Sequence, residues 1–359
     1  MTDKTDNAWA INGRFLSQPA TGVQRYAFEV VCALDELDAL RPGEATLYVP
    51  DGSRSPRSAL RLATRHIAGT GSQLWEQVRL PRAESGPLLS LCNRGPLLSN
   101  RQIVCIHDTN VINCPDSYST AFRIAYRALL PLFARRAAGL TTVSHFSAGE
   151  IARHFGVPRE RITVLHNGHE HVHRWNAEKS DVLQRCGLDR PFVLTIGSRA
   201  KHKNLGLLLK LAASLNELNL DLVVAGGGGR IFSDSEEAIP ANVRILGHVS
   251  DDDLARLLST CLCLAFPSLT EGFGLPVVEA LAVGCPVISS SAASMPEVCG
   301  DAALLAPPDD PSAWLTKFKL LSGSKALQAE LREKGPVQAR RFSWQRSAAG
   351  YLDLMRTLG

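Results

Sequence analysis

The stretch Cys261-Leu-Cys-Leu-Ala-Phe266, closely followed by Glu271-Gly-Phe-Gly-Leu-Pro-Val-Val-Glu279, decides the fold. The first part is a continuous apolar run of strand length, as expected for a strand buried on both faces. In the second part Pro276 fits the first turn of a helix and Gly284 its C-terminal stop. Glu271 therefore falls in a loop after a strand and Glu279 just inside the following helix. The loop glycines let backbone amides approach a ligand, and a helix start can bond an acceptor-rich or anionic group.

The same strand–loop–helix grammar runs outward in both directions. Strands are expected at 45–49, 102–106, 140–144, 162–166, 192–197, 221–226, 243–246, 261–266 and 286–289, and a shorter run at 8–11. Helices are expected at 22–39, 119–138, 146–155, 203–218, 251–259 and 275–283. Alternation of this kind specifies parallel, doubly wound sheets. At 359 residues the chain exceeds one compact core. The polar, aperiodic segment 168–181 marks a boundary, and a new strand–glycine–helix unit starts at Phe192. The expectation is a first domain over 1–175 and a second over 188–340. A final helix near 343–359, with Trp344, Ala348, Tyr351, Leu352 and Met355 at helical spacing, is expected to return to the first domain.

A second motif, Ile196-Gly-Ser-Arg-Ala-Lys-His-Lys-Asn204, follows a strand and opens a helix. Gly197, Ser198, Arg199, His202 and Lys203 then sit at a strand's carboxyl end, where open α/β sheets bind ligands. Cations at the positive end of a helix oppose its dipole, so an anionic ligand is the natural partner. His107 and Asp108 stand at another strand end. Arg14 precedes, and Gly22 and Arg25 open, the first helix. The pattern there is not the GxGxxG of dinucleotide-binding proteins.

These motifs together resemble glycosyltransferase family 4, a retaining family of the GT-B fold. Glu271 to Glu279 is similar to its Glu-x7-Glu motif, and Gly197 to Lys203 to its Gly-x5-Lys phosphate motif. The resemblance implies two Rossmann-like domains facing across a cleft. It places Glu271 by the donor sugar, the amides of Phe273, Gly274 and Leu275 on sugar hydroxyls, and Glu279 on the ribose. Lys203, with Arg199 or His202, would neutralise the diphosphate. Many members carry arginine directly after the glycine, where this chain has Ser198. His107 would contact the donor sugar near the reacting carbon, the Val249 backbone would read the base, and Gly22 would approach the donor phosphates. Arg14, Arg25 and Asp108 are the acceptor-side candidates.

The implied activity is transfer of a hexose, mannose-like as a first guess, from a nucleotide diphosphate sugar to a hydroxyl of a glycan or polyprenyl-linked glycan. Bacterial surface polysaccharide synthesis is the implied setting. Two other readings stay open: a sugar-nucleotide epimerase of the same fold, and a binding module without catalysis. No metal or other cofactor is expected.

The bulk composition agrees with such an enzyme. The chain has 45% hydrophobic and 21% charged residues, which is ordinary for a globular protein. A net charge of +4 is too weak to indicate nucleic acid. Nine cysteines without a CxxC pair, several in apolar runs, read as buried thiols rather than a zinc site. The polar N-terminus and the lack of a long uncharged apolar run predict a cytoplasmic protein. A peripheral contact with the inner membrane stays open through Arg123, Arg127, Arg135 and Arg136 of the 119–138 helix. That helix is read as packing Phe122, Leu129, Leu132 and Phe133 on a sheet. Trp75 is read as a sugar-stacking aromatic or, equally, as a core or lid aromatic.

Overall fold

The computed structural model describes residues 8–53, 60–83, 86–197, 200–227 and 240–358. The chain divides into two compact units. The first contains 1–112, 120–168 and 343–359, and the second 113–119 and 169–342.

The first unit is built on seven parallel strands: β1 (Trp9–Asn12), β2 (Ala45–Pro50), β3 (Ala63–Ile67), β4 (Leu88–Ser90), β5 (Gln102–Cys105), β6 (Gly139–Thr142) and β7 (Ile162–Val164). Their spatial order is β3-β2-β1-β4-β5-β6-β7. The second unit has six: β8 (Phe192–Ile196), β9 (Asp221–Ala225), β10 (Val243–Gly247), β11 (Cys263–Phe266), β12 (Val287–Ser290) and β13 (Leu304–Ala306). Their order is β10-β9-β8-β11-β12-β13, and again every pairing is parallel. Both sheets are therefore doubly wound. The winding reverses between β1 and β4 in the first unit and between β8 and β11 in the second. Such a switch point is where neighbouring strand ends splay apart and leave room for a ligand.

The principal helices are α1 (Gly22–Glu36), α2 (Thr120–Arg136), α3 (His145–Phe155), α4 (Asp251–Thr260), α5 (Leu275–Ala282) and α6 (Trp344–Leu358). The last belongs to the first unit. Trp344, Ala348, Tyr351, Leu352 and Met355 are buried. The Tyr351 hydroxyl lies 2.8 Å from that of Tyr26 on α1 and 2.9 Å from Thr141 Oγ1 on β6. In the second unit Trp314 and Phe318 are fully buried against Val193, Leu222 and Ile288 of three strands. Burial on this scale supplies the main drive for folding.

Two helix expectations change, and two open readings are resolved. The helix expected over 203–218 is broken: Lys201–Lys203 form a 3-10 turn, and α-helical turns follow at Leu205–Lys210 and Ala212–Glu217. Asn204 causes the first break. It adopts a left-handed backbone (φ 54°), and its amide donates to the carbonyls of Pro267 and Pro308. The polar segment 168–181 is packed rather than solvent-facing, since His171 is fully buried. Asn176 and Ser180 bond the carboxylates of Asp252 and Asp253 in the first turn of α4. Helix α2 does not pack its whole apolar side. Leu130, Phe133 and Ala134 are buried, whereas Phe122, Ile124 and Leu132 are exposed. Trp75 is core, with its indole N–H donating to the Ile67 carbonyl, so it is not a sugar platform.

All nine cysteines are free thiols. Among the described residues no helix is long and apolar enough to cross a membrane.

Candidate active site

The second unit gathers its candidate residues at the β8/β11 switch point. Lys203 follows β8 and Glu271 follows β11, and the two strands are hydrogen-bonded neighbours. Lys203 Nζ donates to Glu271 Oε1 at 2.8 Å and stands 5.5 Å from the Phe266 ring centre. The turn that carries the lysine is fixed from three sides. The Leu269 N–H donates to the His202 carbonyl, and Ser117 Oγ accepts from the His202 N–H and contacts its Nδ1. Asn204 forms the third tie. His202 is buried and its ring stacks with Tyr118.

The loop after Glu271 is equally constrained. Ser294 Oγ reaches the carbonyls of both Glu271 and Phe273 at 3.0 Å. Gly274 has φ 98°, and a Cβ built there would lie 2.3 Å from Met295 Cε. Only glycine fits this turn without strain. It ends at α5, whose first residues are Leu275 and Pro276. Glu279 lies one turn into that helix, is buried, and meets His171 Nε2 at 2.9 Å. His171 was not singled out from sequence. The alternation His169-Glu-His-Val-His173 was a visible signal, but nothing in it tells which ring turns inward. Val249 is half-buried between β10 and α4, next to the capping residue Ser250. Gly197 closes β8, its N–H bonded to the Ala225 carbonyl. Ser198 and Arg199 lie outside the described residues.

The remaining candidates belong to the first unit. His107 follows β5 and is buried. Its Nε2 lies 2.8 Å from the Leu91 carbonyl and its ring stands edge-on to Tyr26. Burial disfavours the charged imidazole, but the hydrogen-bonded Cys105 sulfur and the Leu91 carbonyl outweigh it, so the ring's pKa is raised. Asp108 Oδ1 accepts from the Asn110 N–H and so orders the next turn. Gly22 is exposed at the start of α1, and a Cβ there would meet open space. No packing demand keeps it a glycine. Arg25 is half-buried on α1. Arg14 is bound to Gly71 and to Glu76, a buried carboxylate not singled out from sequence.

Chemically, the second unit offers a cation, two carboxylates and glycine-shaped backbone at one switch point. This is the equipment of a site for a polyhydroxylated, phosphorylated ligand.

Comparison with known proteins identifies the fold and the family. The chain aligns with sucrose-phosphate synthase from Thermosynechococcus elongatus at TM-score 0.73 and 18% identity, over 98% of this chain and 99% of that one. It aligns with WaaG, a glycosyltransferase involved in lipopolysaccharide biosynthesis, at TM-score 0.70 and 16% identity, over 97% and 99%. The fold is thus that of a GT-B glycosyltransferase. Residues 20–173 match the family described as Glycosyltransferase Family 4, and residues 181–338 match Glycosyl transferases group 1. The chain belongs to glycosyltransferase family 4 and is a sugar transferase. It is 29% identical over 364 residues to the Escherichia coli O-antigen chain mannosyltransferase B, covering 92% of this chain and 94% of that protein. It is 27% identical over 332 residues to the O-antigen chain mannosyltransferase RfbU of Salmonella typhimurium, covering 86% and 89%. With such relatives the epimerase and the binding-module readings are not favoured.

Proposed function

We propose that this chain transfers mannose, with retention at the anomeric carbon, from a nucleotide diphosphate sugar to a glycan hydroxyl during bacterial surface polysaccharide synthesis. The observation that carries the donor assignment is the Lys203–Glu271 pair at the β8/β11 switch point. The two groups hold each other in place before the donor arrives. On binding, the ammonium turns to the diphosphate and stabilises the charge that develops as the nucleotide leaves. The carboxylate turns to the donor sugar. Backbone amides of Phe273, Gly274 and Leu275 bond its hydroxyls, and Glu279, steadied by His171, takes the ribose.

The sugar passes through an oxocarbenium-like state. In a front-face transfer the leaving phosphate oxygen accepts the acceptor's proton, so no strong base is required. His107 serves the donor sugar. Arg199, Ser198, His202, Gly197, Gly22 and the Val249 backbone complete the donor contacts. Arg14, Arg25 and Asp108 serve the acceptor, a glycan or polyprenyl-linked glycan. The phosphate cations act in place of a metal, so no cofactor is needed. The work is cytoplasmic. The exposed Ile124 and Leu132 beside the α2 arginines suit a peripheral contact with the inner membrane.

Mannose is favoured because relatives along nearly the whole chain carry mannosyltransferase names. The test is incubation with GDP-mannose and a set of lipid-linked glycans. Nucleotide release that depends on acceptor, with the new bond keeping the donor's anomeric configuration, is expected. Inversion at that carbon, or interconversion of the sugar nucleotide without release, would overturn the reading.

A further inference from the structure

The first unit also has a switch point, between β1 and β4, and it is lined by charge. Asn12 ends β1 and Arg14 follows it, while Arg94 follows β4. Between them lies Glu76. Asn12 Nδ2 donates to Glu76 Oε1 at 3.0 Å, and Arg14 Nη1 and Arg94 Nε both stand 3.3 Å from Glu76 Oε2. The three charged side chains are largely shielded from water, at 12%, 14% and 3% exposure for Arg14, Arg94 and Glu76. Among the described residues, two guanidiniums share one carboxylate. One positive charge is left over in a poorly hydrated place. The cost is visible at Arg14, whose pKa is lowered, chiefly by burial.

Beside this charge stands an aromatic pair. The Arg94 guanidinium lies 5.9 Å from the Tyr126 ring centre. Tyr126 stacks on Phe122 at 3.9 Å and 20°, and Phe122 is 38% exposed. Both aromatics sit on α2, in the half that does not pack on the sheet. Aromatic rings next to a cationic site offer an apolar face against which the C–H face of a pyranose can rest.

We infer that the β1/β4 switch point is an acceptor subsite that holds a phosphate group attached to a saccharide. Arg14 and Arg94 grip the oxyanion while the sugar rests against Phe122 and Tyr126. This rests on the transferase reading and names the acceptor's chemistry, a phosphorylated glycoside. A single anionic group balances the surplus charge that Glu76 leaves. A guanidinium suits phosphate because two of its N–H groups can donate in parallel to two oxygens.

The test is calorimetric titration of mannose 1-phosphate, and separately of methyl α-mannoside, into protein saturated with a nucleoside diphosphate. Saturation keeps the probes out of the donor site. The expected result is that the wild type binds the phosphorylated sugar at least ~10-fold more tightly than the neutral one, the scale of a charge-assisted pair. Arg94→Gln is expected to erase that preference and Arg94→Lys to restore part of it. Phe122→Ala is expected to weaken both sugars alike. Retained nucleotide binding shows that each variant is folded. Equal affinity of the wild type for the two probes, or an unchanged preference in Arg94→Gln, would overturn the inference. Failure of every nucleotide to bind the wild type would strike the donor assignment instead. The comparison of Arg94→Gln with wild type, repeated without nucleotide, would still decide the subsite.

Discussion

The two sheets repeat one topological device with opposite local chemistry. At the β8/β11 switch point a lysine and a glutamate neutralise each other at 2.8 Å. At the β1/β4 switch point two arginines face one buried glutamate and, among the described residues, leave a charge uncompensated. Under the proposed function the first arrangement is poised: the pair is expected to separate when a ligand offers both a phosphate and a hydroxyl. The second is biased toward an anion from the outset. The comparison teaches that a shared fold fixes where ligands bind, while the charge balance at each strand end decides what is bound.

The largest expected effect removes the cation of the balanced site. Lys203→Ala should lower kcat by about 10²- to 10³-fold, the range for loss of one group that stabilises developing negative charge. Steady-state kinetics at saturating donor check this. A rate near wild type would take the lysine out of the phosphate role and leave the two switch points less different than they look.

Next in size is the backbone that shapes that site. Gly274→Ala forces a Cβ into a left-handed position against Met295. It should cost ~1–3 kcal/mol of stability and weaken donor binding, measured by denaturant unfolding and donor titration. Wild-type stability would show that the turn relaxes freely.

A smaller effect is expected at His171. Removing its ring leaves Glu279 buried without that partner, so His171→Ala should raise the donor KM by ~10-fold, equivalent to ~1.4 kcal/mol, with a lesser change in kcat. His171→Gln, which keeps a donor, should recover part of the loss. A fall in kcat alone would contradict a positioning role at the nucleotide. The smallest effect belongs to Gly22→Ala, within ~0.5 kcal/mol in stability, because none of the described residues occupies the added volume. A marked loss of donor affinity in that variant would reveal the close ligand approach expected of this glycine.

The balanced site was the more legible one in the sequence. Its lysine and glutamates lie in compact motifs that directly follow long apolar strands, so spacing alone placed them on loops and helix starts. The strand ends were readable for the same reason. Strands β3, β4 and β13 were not. Ala63–Ile67 is mostly exposed and carries Arg65 and His66, while Leu88–Ser90 and Leu304–Ala306 are only three residues long. Losing β4 hid the first switch point, and with it Arg94. Glu76 was hidden because its partners stand 62 residues before it and 18 after it, with no local spacing to join them. His171 was hidden by a segment whose polarity reads as solvent-facing. Its partner in the fold, Glu279, lies over 100 residues away.

The central claim is that the β8/β11 switch point is the nucleotide-sugar site. Its most direct test is thermal unfolding of wild type and Lys203→Ala with UDP, GDP, ADP and dTDP, each with and without magnesium. The account predicts that one nucleotide, GDP for a mannosyl donor, raises the wild-type Tm without metal, as any ligand specific to the folded state must. It also predicts that Lys203→Ala loses most of that rise. No shift with any nucleotide, or an equal shift in both proteins, would contradict it.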